Sequence, residues 1–336
     1  MVWIRRAALF CFVLMLSATV VGETNAPLRF SLPPVLEALP IAFAQEWNLF
    51  EAHGVSVELI GITDNQQRSA ALMTGNLDGM MEDITRSILD ATTGGDIAIT
   101  SAARSRSQTG SLSLALLSPA SFRLDSMDML LASNYSIATI YRSDYEYLLD
   151  RLLADHQSED VGPIKTMYFH DMLQMAVWFG AQTLPAAVLP EPYVSYLSSY
   201  YPAGGQPIQL VVHDDFSGRC ILPSVVVFRR AYVNEHPDAI AAFYAAYEET
   251  IARINAMTRD ELVDLGIDIA LSLFFQGAER ASINQEVIDT LAIPFFETPD
   301  VLAQENYEGI LSWMLEKGYV YDAPAYGEIT DFQFIQ

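Results

Sequence analysis

Strand-like and helix-like stretches alternate along this chain in two successive runs, and a set of helices closes it. Strands separated by helices build layered α/β sheets rather than barrels or sandwiches, so this order constrains the fold more than any single motif. In the first run "LRFSL" (28–32) reads as a strand, and the segment after it carries Leu36, Leu39, Phe43, Trp47 and Phe50 at helical spacing. "VSVELI" (55–60) alternates as a strand does, and a helix over 66–74 stops at Gly75. "IAITSA" (97–102) and "LSLALL" (112–117) are further strands. In the second run "SIATI" (136–140) precedes the capping box Ser143-Asp-Tyr-Glu146, whose helix puts Tyr145, Leu148, Leu149, Leu152 and Leu153 on one face. "IKTMYF" (164–169), a helix over 171–180, "PAAVL" (185–189) and "IQLVVH" (208–213) complete it. After "ILPSVVVFRR" (221–230) the pattern predicts helices over 237–257, 259–275, 282–292 and 299–317, with Thr258-x-x-Glu261 as a second capping box. No Pro/Gly/Ser-rich linker separates the blocks, so the expected fold class is α/β, in two lobes.

Half of the 336 residues are apolar, which provides for a large core and excludes a disordered chain. Arg5 and Arg6 precede an apolar run from Ala7 to Val21, with Gly22 as the small residue before cleavage. That pattern predicts an export leader over residues 1–26 and not a retained anchor, since a membrane span needs roughly 20 apolar residues. Cys11 lies inside the run, badly placed for lipid attachment, and Cys220 is then the single remaining cysteine, so no internal disulfide is expected. Sixteen of the 18 basic residues and all 42 acids lie beyond Gly22, a formal charge of −26. A field of that sign repels nucleic acid and anionic membrane, so neither is an expected partner. His53, His156, His170, His213 and His236 are far apart, with no HExxH and no paired cysteines, so no metal site is expected. There is no GxSxG elbow and no phosphate loop, and no cofactor is expected.

The stretch "LPEPY" (189–193) holds one glutamate between two prolines, straight after "PAAV". Pro192 suits a first helical position and Pro190 stiffens the approach, so Glu191 reads as a rigid carboxylate near a helix start. A ligand acceptor, a helix cap and a general acid all fit that description.

Four segments in this order resemble the NMT1/THI5-like group of periplasmic solute-binding proteins. They are "LPIAFAQEWNLFEAHGVSVELI", "RSAALMTGNLDGMMEDITRSILDA", "WFGAQTLPAAVLPEPYVSYL" and "VVVFRRAYVNEHPDAIAAFYAAYEETIARIN". They are similar to the group's first βαβ unit, its "AL-x-x-G-x-hDG" and "EP" segments, and its return strand with a long helix. The chain departs from the pattern at Asn48, where the group has glycine, and at Leu184-Pro185, where it has an acidic residue. The resemblance implies the type II periplasmic-binding fold. Lobe 1 would comprise residues 27–117 and 216–336, lobe 2 residues 118–215, with two crossing strands near 117–120 and 213–217 and the ligand trapped between the lobes.

Strand "PAAVL" would then end at the cleft, where side chains and helix starts converge, and Glu191 and Tyr193 become candidate ligand contacts. Ser31 and Pro34 of "SLPPV" either floor the cleft or form a plain loop. Asp83 suits a contact or an N-cap equally. Arg104 and Arg106 are the basic pair nearest the cleft, with surface pairing to acids as the alternative. Tyr141, Arg142 and Ser143 stand at a helix start, where amides bind polar or anionic groups and Tyr141 can stack on a ring. His170 and Asp171 occupy the equivalent junction, and Asp214 and Phe216 the second crossing. Trp47, Phe169, Trp178 and Phe179 read as core.

The expected function is a secreted, monomeric solute-binding protein of the periplasm that delivers a small molecule to the permease of an ABC importer. Tyr141, Tyr193 and Phe216 with Glu191 favour a flat heterocycle, such as a thiamine-pyrimidine precursor or riboflavin, over a sulfonate- or nitrate-type anion. A sensory binding protein is the alternative. The pyrimidine synthases of this fold need a lysine that holds pyridoxal phosphate; no lysine here precedes Lys165, so an enzyme is not expected.

Overall fold

The computed structural model describes residues 26–106, 113–156, 164–198, 208–216, 222–274, 280, 283, 285–291 and 293–335. The expected leader, up to Asn25, and Cys220 lie outside them.

The first run folds as β1 (Leu28–Leu32), α1 (Leu39–Glu46), α2 (Leu49–Ala52), β2 (Val57–Gly61), α3 (Asn65–Met73), β3 (Gly79–Glu82), α4 (Ile84–Thr92), β4 (Ile97–Ala103) and β5 (Ser105–Arg106). The single helix read after β1 is broken at Asn48, which takes a left-handed φ of 54°. Asparagine tolerates that conformation, which explains how it stands where the resemblance expects glycine. Gly75 ends α3 with φ 75°, as its position after the helical spacing required.

The second run gives β6 (Leu114–Pro119), α5 (Met127–Ala132), β7 (Ser136–Ile140), α6 (Asp144–Asp155), β8 (Lys165–Phe169), α7 (Met172–Gly180), β9 (Ala186–Pro190), α8 (Tyr193–Ser198) and β10 (Leu210–Asp214). The chain then returns through β11 (Ser224–Arg229), α9 (Arg230–Glu235), α10 (Pro237–Ile254), α11 (Arg259–Phe274), α12 (Gln285–Thr290), β12 (Phe295–Phe296), α13 (Gln304–Glu316) and α14 (Tyr326–Ile329).

Two five-stranded mixed sheets result, in the orders β2-β1-β3-β11-β4 and β10-β6-β9-β7-β8. In each, a strand from the far side of a crossing enters antiparallel among parallel neighbours: β11 between β3 and β4, and β6 between β9 and β10. The strand "LSLALL" therefore belongs to the second sheet, and the first passage between sheets precedes Leu114 rather than lying at 117–120. All six residues of β6 are buried, and a strand covered on both faces shows no alternation that would assign it to one sheet.

Each sheet is buried on both faces. Val226 and Phe228 of β11 join Phe30, Phe43, Phe50, Phe243 and Tyr247 on one side, while Val225 and Val227 join Met80, Ile88, Ile99, Tyr307 and Ile310 on the other. Phe243 of α10 is the hub of the first side, with ring centroids 5.0 Å from Phe30 and 5.2 Å from Phe50. The second sheet sets Leu117, Ile140 and Leu189 against α7, and Leu116, Ile137 and Val188 against α6.

Gly79 fixes the seam where β3 meets β11. A Cβ there would stand 2.5 Å from Phe228 Cδ1 and 2.9 Å from the Val227 carbonyl oxygen. Gly79→Ala is expected to lose about 1–3 kcal/mol by overpacking, seen as a lower urea midpoint at unchanged m-value. An unchanged midpoint would show that the seam gives way without cost.

Candidate functional site

The loops after β1 and β3 in the first lobe face those after β7, β8 and β9 in the second. Asp83 caps α4, its carboxylate accepting the Arg86 amide at 2.6 Å. The next amides of that helix are answered from the other lobe. Ile84 N and Thr85 N donate to the Asp144 carboxylate at 3.2 and 2.9 Å, and Thr85 Oγ1 donates to it at 2.6 Å. The positive end of α4 is thus filled by an acid from the first turn of α6. Burial pushes the Asp144 carboxyl up to about 6, against the pull of these donors. Asp83 and Glu82 are also raised, first by burial and then by like charges, Asp144 beside Asp83 and Asp90 beside Glu82. The buried Arg68 guanidinium lies beside them and donates to the Ile62 carbonyl at 2.6 Å; burial lowers its pKa.

Three more contact sets join the lobes. Thr63 Oγ1 donates to Asp171 at 2.7 Å, and Asn65 N donates to the His170 carbonyl at 3.1 Å. Tyr193 OH donates to the Pro34 carbonyl at 3.1 Å. From the C-terminal segment, Lys317 reaches Asp150 at 2.8 Å and Glu146 at 3.1 Å, Trp313 Nε1 donates to Asp150 at 2.9 Å, and Tyr319 OH donates to Glu146 at 2.6 Å. The lobes are closed on one another, and the rings of Tyr141 and Tyr147 pack on Tyr319 and Trp313 beside these polar contacts.

The candidate residues divide accordingly. Asp83, Ser143, Tyr141 and His170 meet at the lobe junction. Ser143 caps α6, accepting the Glu146 amide at 3.3 Å, but Glu146 takes the Arg142 amide instead of completing the box. The Tyr141 ring packs against Tyr168, His170 and Tyr319 at 4.9, 5.7 and 5.7 Å, so its faces meet the protein's own rings. Pro34 and Tyr193 meet each other. Ser31 is buried and donates to the Ile60 carbonyl at 2.7 Å, tying β1 to β2. Arg106 pairs with Glu297 and lies over the Phe295 ring, which is the surface-pairing alternative. The Arg104 carbonyl accepts the Glu297 amide at 3.0 Å.

Two of the candidates are engaged within their own lobe. Glu191 is engaged inside its own turn: Ser195 N and Ser195 Oγ donate to its two oxygens at 3.0 and 2.6 Å, so it caps the start of α8. Burial still pushes its carboxyl up to about 7. Phe216 is fully buried among Leu116, Leu124 and Leu152 in the second lobe's core, where an apolar ring gains most, and it does not face the cleft. Asp214 turns the chain there, accepting the Phe216 amide at 2.6 Å.

Sequence reasoning passed over Asp144, because its position in a capping box explains an acid there without a second lobe. It also passed over a cavity of about 380 Å³ between the lobes. The loop after β1, α1, α7, α8, α11 and α12 wall this cavity, and among the described residues no charged side chain lines it. A smaller polar crevice of about 300 Å³ lies between α3, α4 and Tyr141-Arg142.

Glu191→Ala is expected to cost about 0.5–2 kcal/mol of stability in denaturant and to leave ligand affinity nearly unchanged. Asp144 holds its proton more tightly in the closed fold than in water, so its contribution is full below about pH 4 and is lost as pH rises through about 6. The urea midpoint is therefore expected to fall between about pH 4 and 6, and to fall less in Asp144→Asn. Equal slopes in the two proteins would take Asp144 out of the pH response.

No family model and no curated protein matches the chain. Solved structures do. The alkanesulfonate-binding protein SsuA from Xanthomonas axonopodis pv. citri, bound to MOPS, is 14% identical with a TM-score of 0.69, over 92% of this chain and 99% of that one. The ligand-binding component of an ABC-type import system from Staphylococcus aureus is 13% identical with a TM-score of 0.67, over 92% and 98%. The periplasmic nitrate-binding protein NrtA from Synechocystis PCC 6803 is 13% identical with a TM-score of 0.66, over 92% and 86%. Likeness at this level of identity establishes the fold, and the chain has the type II periplasmic-binding fold, two α/β lobes with mixed sheets.

Proposed function

We propose that this protein is a solute-binding protein, held outside the cytoplasm, that captures a small molecule between its lobes and hands the closed form to an ABC-type permease. The observation that carries the reading is the closure itself. The strand-end loops of both sheets meet face to face, and hydrogen bonds such as Asp144 to Ile84 and Thr85 cross the seam beside ring contacts of Tyr141 with Tyr319 and Tyr147 with Trp313. Such an interface can open and close as two nearly rigid bodies. The lobes are taken as the units around the two sheets, one contributed by residues up to Arg106 and from Ser224, the other by Leu114 to Asp214. Capture and delivery need no covalent step, and the reading assigns none.

Solutes named for the similar structures include an alkanesulfonate and nitrate. An anion of that kind would seek a helix start, and here the start of α4 already holds Asp144. The many acids of the chain add to the repulsion. Both facts favour an uncharged ligand, a neutral heterocycle included. The aromatic set that suggested a heterocycle gives it less support, since Phe216 is in the core and Tyr193 is hydrogen-bonded to Pro34.

The test uses the solute itself. Small molecules co-purifying with the protein are identified by mass spectrometry, removed by unfolding and refolding, and added back during small-angle scattering. The radius of gyration is expected to fall on addition, as the lobes close. An unchanged radius at saturating solute would end the reading.

A further inference from the structure

We infer that the cavity of about 380 Å³ between the lobes is a binding site for a neutral, apolar small molecule, which names the ligand class within the solute-binding reading above and rests on it. Its walls come from three directions. The end of β1 and the loop after it supply Leu32, Pro34, Val35 and Leu36, α7 supplies Ala176, Val177 and Gly180, and α11 supplies Val263, Gly266 and Ala270. Among the described lining residues the only side chains with polar atoms are Tyr193 and Tyr196, and the Tyr193 hydroxyl is committed to the Pro34 carbonyl at 3.1 Å. A charged or strongly hydrogen-bonding solute would lose its water there and find few partners in return. An apolar one would lose nothing.

The space follows from residue choice. Helix α7 turns Leu173, Ala176, Val177 and Gly180 to the cavity at spacings of three and four, and α11 does the same with Leu262, Gly266, Ala270 and Leu273. Each run includes small residues, Ala176 and Gly180 in α7 and Gly266 and Ala270 in α11. A core position normally carries the side chain that fills it, because unfilled apolar space forfeits contacts on every side. A Cβ added at Gly266 would meet only Leu39, at 3.7 Å, which is ordinary contact. The room is therefore not an accident of a tight glycine crossing. The volume falls within the range of pockets that enclose small molecules, and both lobes line it, so an occupant would be covered only when they close. Val177 and Tyr196, 60% and 40% exposed, stand at its mouth.

The experiment titrates the purified full chain with N-phenyl-1-naphthylamine, a neutral apolar fluorophore, and with its anionic relative 1-anilinonaphthalene-8-sulfonate. Saturable binding of one neutral probe per chain is expected, at least tenfold tighter than the anion. Gly266→Leu and Ala176→Phe, each filling the cavity, are expected to weaken the neutral probe at least tenfold while circular dichroism stays native. Where either variant fails to fold, hydrogen exchange of the unaltered protein decides, with amides of α7 and α11 expected to slow when the probe is bound. No saturable binding, an anion bound as well as the neutral probe, folded variants that bind undiminished, or exchange slowed elsewhere would each overturn the inference. Scattering separates it from the wider reading. A probe that binds here without compaction would leave the cavity assignment standing and remove solute capture by closure. Compaction by a co-purifying solute with the cavity unoccupied would do the reverse.

Discussion

One carboxylate placed at one helix start ties the two lobes together at their centre. Asp144, from the second lobe, accepts two amides and a hydroxyl at the beginning of α4 in the first. Helix starts carry orphan N–H groups and partial positive charge, and something must answer them when they are buried. In this chain the answer comes from the far side of the cleft. The relative position of the two sheets is therefore tied to the local requirement of a nine-residue helix. Hydrogen bonds to a charged group contribute ~1.5–3 kcal/mol each before desolvation is counted. Burial opposes these donors and pushes the carboxyl up to about 6. The latch is strong in geometry and modest in free energy.

The other closure contacts have the same character. Lys317 and Trp313 hold Asp150 near the surface, where water screens an ion pair and leaves ~0–1 kcal/mol. Thr63 and Asn65 meet Asp171 and His170 through single hydrogen bonds. Each group finds water as an alternative partner when the lobes part. By contrast, the aromatic hub around Phe243 lies inside one lobe, where separating the faces would expose rings with no such alternative. Rigid lobes with an exchangeable polar seam are what a hinged protein requires.

Part of the alternation of strands and helices was legible: "LRFSL" and "SIATI" are β1 and β7 as read, and the Thr258–Glu261 capping box opens α11. These elements are set by local pattern, side-chain spacing and capping chemistry. What local pattern does not carry is which sheet a fully buried strand joins, as β6 shows. The site was less legible for the same reason. Asp83 and Glu191 are acids at helix starts, and from the chain alone a cap and a ligand contact look alike; the structure makes both caps. Phe216 reads as an aromatic near a crossing, yet its backbone turns through a left-handed φ of 52° and delivers the ring to the core. Asp144 and the cavity depend on what two distant segments do to each other, and no window of sequence contains both.

The polar seam and the apolar cavity solve different halves of one problem. A ligand moves a conformational equilibrium only by its differential affinity for the two states, however tightly it binds. In the seam, burial of the acids opposes the hydrogen bonds that they accept. A cavity walled by α7 and α8 on one side and by α1 and α11 on the other surrounds its occupant only in the closed state. Apolar burial contributes roughly 25 cal/mol per Å², so about 100–150 Å² of occupant surface covered on closure supplies ~2.5–4 kcal/mol. That is enough to turn a mostly open population into a mostly closed one. It also has no charge to be repelled by a chain with 42 acidic and 18 basic residues, a field that would oppose the approach of any anion. The acidity of the surface, the self-filled start of α4 and the uncharged lining of the cavity thus select the same kind of solute by independent means.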